Sequence, residues 1–136
     1  MAREAVANAR VARLATVGGD GRPHLVPICF ALVGDGLVGG VLYSAVDHKP
    51  KRSARLRRLA NVESTPDVCV LVDAYDEDWS RLWWVRLDGR GRVVRDPDEA
   101  AVALDALGAR YEQYAARPPS GPILAIDIGR WAAWSA

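Results

Sequence analysis

The stretch LATVGGDGRPHLVPICFALV, residues 14–33, decides the fold. Residues 14–17 read as a strand. The Gly18-Gly19-Asp20-Gly21 cluster that ends it contains Asp-Gly, a strong hairpin signal. Residues 23–33 then read as the return strand. Pro27 inside that run marks an edge or a bulge, because proline has no N–H to give to a ladder. Gly34-Asp35-Gly36 reads as a second turn and residues 37–46 as a third strand. Gly39-Gly40 in its middle predicts a bulge or a close backbone approach. Upstream, residues 6–13 read as the end of a short helix feeding the first strand, with a fuller leading helix expected before it.

Downstream, DHKPKR (47–52) leads into a helical stretch to Asn61. Leu56 and Leu59 give it an apolar edge, and Arg52, Arg55, Arg57 and Arg58 make the rest basic. Pro66 opens a strand at 68–72. An acidic loop with Trp79 spans 73–80, residues 82–87 are a strand, and a Gly89–Gly91 turn leads to Val93-Val94. Asp96-Pro97-Asp98-Glu99 is a helix start, with Asp96 as N-cap and Pro97 at the first helical position. That helix is expected to reach about Ala116, with Val102, Leu104, Leu107 and Tyr111 toward the core. Pro118-Pro119 stops it, residues 123–128 form the last strand, and Trp131 and Trp134 follow. Three meandering strands, a helix, strands, a helix and a strand make a mainly β (α+β) fold. It is mostly antiparallel, with two or three helices, in a single domain over residues 1–136. No regular βαβ alternation appears, so the pattern predicts a small closed or partly closed barrel and not a doubly wound sheet.

Composition narrows the function. The net charge is +1, half of the residues are hydrophobic and about a quarter are charged. No global field recruits nucleic acid or an anionic membrane. No apolar segment approaches the roughly 18 residues of a membrane span. Nor does the N-terminus resemble a secretory signal, so a cytoplasmic protein is expected. Cys29 and Cys69 lie in apolar runs without a CxxC pair and are expected as buried thiols. Only His24 and His48 accompany them, and no set has metal-ligand spacing. There is no Walker motif, no GxGxxG and no GxSxG, and neither Ser44 nor Ser53 has a histidine in a sequence context that suggests a triad.

The strongest positive signal is DHKPKRSARLRR, residues 47–58. Lys49, Lys51, Arg52 and Arg55 fall where a strand gives way to a helix N-terminus. Free N–H groups and the helix dipole already favour an anion there. Cations at that end oppose the helix itself, so their placement makes sense for a phosphate; a solvated basic face is the alternative. A second signal is Trp79, Trp83 and Trp84. Strand alternation sends Trp83 and Trp84 to opposite faces, one to the core and one to a partner subunit or a flat ligand. Asp76-Glu77-Asp78 reads as a solvated loop. Together these residues describe an anion site on a small barrel without a protein nucleophile or acid/base pair, which suits chemistry carried by a cofactor.

RLATVGGDGRPHLVPICFAL, AVDHKPKRSARLRRLANV, DAYDEDWSRLWWVRLDG and ARYEQYAARPPSGPILAIDIGRWAAWS resemble the pyridoxamine 5′-phosphate oxidase-like split β-barrel proteins. Within them they are similar to the coenzyme F420-dependent oxidoreductases. The resemblance implies an FMN-binding-like split barrel and a homodimer with cofactor sites at the subunit interface. It implies a deazaflavin cofactor, with FMN as the alternative, and hydride transfer to a small electrophilic or unsaturated molecule. A cofactor carrier without dedicated catalysis, or an FMN-dependent enzyme of the pyridoxamine-phosphate oxidase kind, are the other readings. The phosphate would be held by Lys49, Lys51, Arg52 and Arg55. The ring would lie along the backbone of Val26, Pro27 and Ile28 and of Tyr43, Ser44 and Ala45. Trp79 and Trp84 would form the neighbouring subunit's wall. The long LVGGV segment before LYSAV departs from a plain hairpin and is expected to shift the register of Tyr43 and Ser44.

Overall fold

The computed structural model describes residues 2–34, 40–46 and 52–136, with side chains in the last stretch described from Arg57 onward. Among the described residues seven strands and four helices follow in this order: α1 Ala2–Asn8, β1 Ala12–Val17, β2 Pro23–Ile28, β3 Ala31–Val33, β4 Val41–Ala45, α2 Arg52–Ser64, β5 Asp67–Ala74, β6 Trp83–Val93, α3 Pro97–Arg110, α4 Glu112–Ala116 and β7 Ile123–Ser135. The strands form one antiparallel sheet in the order β2-β1-β5-β6-β7-β4-β3.

That order forces curvature. β2 and β3 are the two ends of the sheet, yet only Cys29 and Phe30 separate them in the chain. Laid flat, six strand spacings would hold the ends roughly 29 Å apart. Three residue steps reach at most about 10 Å. The sheet therefore rolls until its ends meet, giving a mostly antiparallel split barrel with a seam between β2 and β3.

Side-chain alternation then defines an inside and an outside. Ala12, Leu14, Ile28, Leu42, Val68, Val70, Val72, Val85, Leu87, Leu124 and Ile126 fill the interior together with Phe30. Val6 of α1 and Leu59 and Val62 of α2 join the same core, so these helices seal the barrel where its strands end. α3 instead covers part of the outside, packing Ala103 and Leu107 against Tyr43, Ile123, Ala125, Ala31 and Ala45. Burying one leucine this way contributes roughly 1.5–3 kcal/mol. Asp96 caps α3 as its sequence predicts, its Oδ1 accepting from the Asp98 N–H at 3.1 Å. No helix among the described residues is long and apolar enough to cross a membrane.

Several sequence expectations need correction. The 23–33 run is two strands that pair at opposite ends of the sheet, so the first three strands are no meander. Glycines 89 and 91 do not turn: β6 runs through them, with a bulge between Asp88 and Gly89. A side chain at Gly89 would sit 2.5 Å from the Asp127 carbonyl oxygen, so this crossing needs glycine. Strand 68–72 extends to Asp67–Ala74, and the last strand reaches Ser135 because its second half pairs with β6. The long helix breaks at Tyr111, and Val102 is 48% exposed instead of buried. Cys29 is exposed and Cys69 half-buried, the first because it lies in the seam, the second because it faces outward. The close approach expected at Gly39-Gly40 is present at Gly40, where a Cβ would lie 3.1 Å from the Val33 carbonyl oxygen. The Asp35-Gly36 turn, Gly39 and His48 lie outside the described residues, as does the Leu56 side chain.

Candidate functional site

The seam is where the sheet has free backbone. Gly18 N–H donates to the Arg22 carbonyl at 3.0 Å, which fixes the hydrogen-bonding phase of the β1–β2 hairpin. In an antiparallel pair the bonded positions alternate. His24, Val26 and Ile28 therefore give their N–H and C=O groups to Thr16, Leu14 and Ala12. Pro23, Leu25 and Pro27 turn theirs to the open side, where no strand follows among the described residues. Two of these three residues are prolines. The free edge thus offers three carbonyls and a single N–H, that of Leu25. Pro27 is an edge residue, as its sequence position suggested, and its missing donor costs the fold nothing.

Across the seam β3 comes first, and behind it β4 carries Tyr43, Ser44 and Ala45. Tyr43 and Ala45 face α3, and Ser44 turns inward. Ser44 is 2% exposed, and its Oγ has no hydrogen-bond partner among the described residues. On β2 the His24 Nδ1 is likewise buried without a partner. Burial pushes the His24 pKa down, and the charges of Arg57 and Arg58 on α2 push it further. Arg57 and Arg58 of α2 are therefore near enough to His24 to act on its charge, while α2 itself packs on β6 and β1. A hydrogen bond from Asn61 Nδ2 to Thr16 Oγ1, 3.1 Å long and buried, pins the far part of α2 to β1. Arg52 opens α2. Its side chain and that of Arg55 are not among those described, and Lys49 and Lys51 lie outside the described residues.

The remaining predicted residues are spread along the sheet, far from Tyr43. Trp84 pairs with Trp134 and Tyr43 with Ala125, nine positions apart on β7. At about 3.3 Å per residue that is roughly 30 Å. Trp84 faces outward and shares a groove of about 630 Å³ with Leu25, Leu71, Tyr75, Arg86 and Trp134. Trp83 faces the other way and packs on the core, the division that alternation predicts. Trp79 is 68% exposed, on a short turn where its Nε1 donates to the Tyr75 hydroxyl at 3.4 Å. That loop is knit by its own acids: Asp76 Oδ1 accepts from Asp78 N–H at 2.8 Å, and Asp78 Oδ1 from Ser80 Oγ at 2.7 Å. Asp76 and Asp78 are turn formers, in keeping with a solvated loop.

The most perturbed titrating groups sit under α3. Arg92 donates to both Glu99 oxygens at 2.6 and 2.7 Å and to Asp127 at 2.8 and 3.1 Å, while the Tyr43 hydroxyl donates to Glu99 Oε2 at 2.7 Å. These bonds, Arg92's first, hold the Glu99 carboxyl down at about 2. Burial, then the bond to Glu99, pushes Tyr43 up to about 12. A carboxylate bound this firmly exchanges no proton near neutral pH and serves to fasten α3 to the sheet. Sequence reasoning placed Glu99 in the helix start and missed Arg92 and Asp127, which come together only through the β6–β7 register. It also missed Leu25, although an apolar residue alternating with Pro23 and Pro27 was a readable sign. No group of acids, cysteines and histidines among the described residues could hold a metal ion.

Comparison with known proteins agrees with this architecture. Residues 1–135 match the family model described as pyridoxamine 5′-phosphate oxidase. A conserved hypothetical protein of Mycobacterium tuberculosis superposes with a TM-score of 0.73 at 23% identity, over 97% of this chain and 81% of that one. A FAD-binding protein of Mesorhizobium loti gives 0.69 at 21% identity, over 97% and 90%. The heme storage protein HutZ of Vibrio cholerae gives 0.68 at 18%, over 98% and 90%. No curated protein matches the sequence.

Proposed function

The chain belongs to the pyridoxamine 5′-phosphate oxidase family, and from that premise we propose that it binds a flavin-type cofactor at the barrel seam and uses it for hydride transfer to a small electrophilic molecule. The cofactor we propose is a deazaflavin, coenzyme F420. The observation that carries this reading is the β2 free edge, flanked by two buried polar atoms without described partners, Ser44 Oγ and His24 Nδ1. Such an edge suits a flat heteroaromatic ring that needs backbone partners on one side. The first N–H groups of α2 suit a phosphate, and Lys49, Lys51, Arg52 and Arg55 are the right chemistry beside them.

When bound, the cofactor supplies the hydride-carrying ring atom. The chain's own residues do the rest. The Leu25 N–H and the carbonyls of Leu25 and Pro27 orient the ring edge. The basic run neutralises the phosphate. Burial, and then the arginine neighbours, lower the His24 pKa, which favours its uncharged form beside the ring. A second copy of the chain would close the site, bringing its own Trp79 and Trp84 as a wall.

The FAD-binding relative favours a second reading, an FMN-type flavin in the same place. Parallel fluorescence titrations with oxidised deazaflavin and FMN, at low and moderate salt, separate the two. Tighter deazaflavin binding is expected. Lys49→Ala or Lys51→Ala should weaken it about tenfold or more, since a charge-assisted hydrogen bond is worth roughly 1.5–3 kcal/mol. Tighter FMN binding at both salt levels overturns the deazaflavin assignment, and no saturable binding of either overturns the cofactor site.

A further inference from the structure

We propose that the two prolines of β2 make its free edge a rail of hydrogen-bond acceptors, and that Pro27 thereby selects against oxidised FMN. The inference rests on the reading that the ring lies along this edge. Pro23, Leu25 and Pro27 present their backbone polar groups outward, and only Leu25 has an N–H to present. The pairing phase leaves that donor without a partner on β1.

The two cofactor rings differ at the central position. Oxidised FMN has a nitrogen there with a lone pair that accepts a hydrogen bond. A deazaflavin has a C–H, which makes no such demand. Both rings also carry two pyrimidine carbonyls and one imide N–H. The imide N–H can be met by any of the three edge carbonyls. A single backbone donor cannot serve two ring carbonyls and a ring nitrogen together. FMN therefore brings one more acceptor to an edge already short of donors, and an acceptor desolvated without a partner weakens binding. The same arithmetic gives a redox consequence. Reduced FMN carries N–H at that nitrogen and becomes a donor that the Leu25 or Pro27 carbonyl can accept. The edge therefore penalises the oxidised form alone, whereas a deazaflavin holds hydrogen at this carbon in both states.

Pro27→Ala and Pro27→Val each restore an N–H on the open side without touching a β1 partner, because the β1 bonds belong to residues 26 and 28. Near-UV circular dichroism of the tryptophans checks that both variants keep the fold. In both, oxidised FMN should bind about three- to tenfold tighter than in the parent protein. Deazaflavin affinity should change by less than twofold. The midpoint potential of bound FMN should move down, since the restored donor favours the oxidised ring. An unchanged affinity ratio in both folded variants, or equal gains for the two cofactors, overturns the selection by Pro27 while leaving the cofactor site standing. Failure of both cofactors to bind the parent protein overturns the inference together with the site itself.

Discussion

The outer surface of this barrel has two halves built from the same strands, and only one has a cover. Over β4, the first half of β7 and the last residues of β6, α3 lies on Tyr43, Ala125 and Ile123, and Arg92 ties it down through Glu99. Over β1, β2, β5 and the other halves of β6 and β7, no helix among the described residues packs across Leu25 and Leu71, and α1 only borders Trp84 and Trp134. Both halves present large apolar side chains. The difference teaches that strand alternation says which residues face out and is silent about what covers them. The covered half adds stability to the single chain. The bare half keeps apolar surface in reserve, as interfaces between subunits do.

Three substitutions break or sharpen that contrast. Leu107→Ala empties a fully buried position under α3 and should cost about 2–5 kcal/mol in urea unfolding. A loss near zero would mean that α3 does not hold its half of the sheet. Glu99→Gln comes next. Because the Glu99 pKa is depressed, its contribution is complete above the ordinary carboxyl value of 4.5 and disappears as the pH falls toward about 2. The parent protein should therefore lose stability between those values, and the variant, less stable at neutral pH, should show a flatter profile there. Parallel pH profiles would remove Glu99 from the fastening role. The smallest effect on the chain's own stability belongs to Leu71→Asp. Leu71 is 37% exposed and lies opposite Arg13 and Arg86, so the fold should change by about 0.5 kcal/mol or less. Its effect on assembly should be complete: sedimentation at micromolar concentration should report twice the chain mass for the parent and one chain mass for the variant. A parent that sediments as a single chain would defeat the proposed second copy.

Much of the fold was legible where one residue has one physical meaning. Pro27 announced an edge, Asp96-Pro97 a helix start, and Trp83-Trp84 a division between core and surface. The errors lie where local chemistry has two outcomes. Gly89 and Gly91 could open a turn or let a neighbouring strand pass close by, and only the Asp127 carbonyl decides between them. GRWAAWS has little strand character of its own and is extended because β6 pairs with it. The candidate site was legible as chemistry in the basic run and less so as geometry. Tyr43 turns under α3, and the seam that brings β2 to β3, with β4 behind it, exists only because the sheet ends are two residues apart.

The position of β7 constrains how the molecule can be made. Its neighbours are β6 and β4, so it is the only bridge between a four-strand piece, β2-β1-β5-β6, and the two-strand piece β4-β3. While a ribosome is still upstream of residue 123, both pieces can exist as hairpins but no barrel can close. Ser44 and Ala45 then have no strand on their β7 side, since their partners Leu124 and Ile123 have not been made. The nascent chain must therefore shelter two unfinished sheet edges until β7 has been made, and the β6–β7 and β4–β7 pairings are deferred to a single late event.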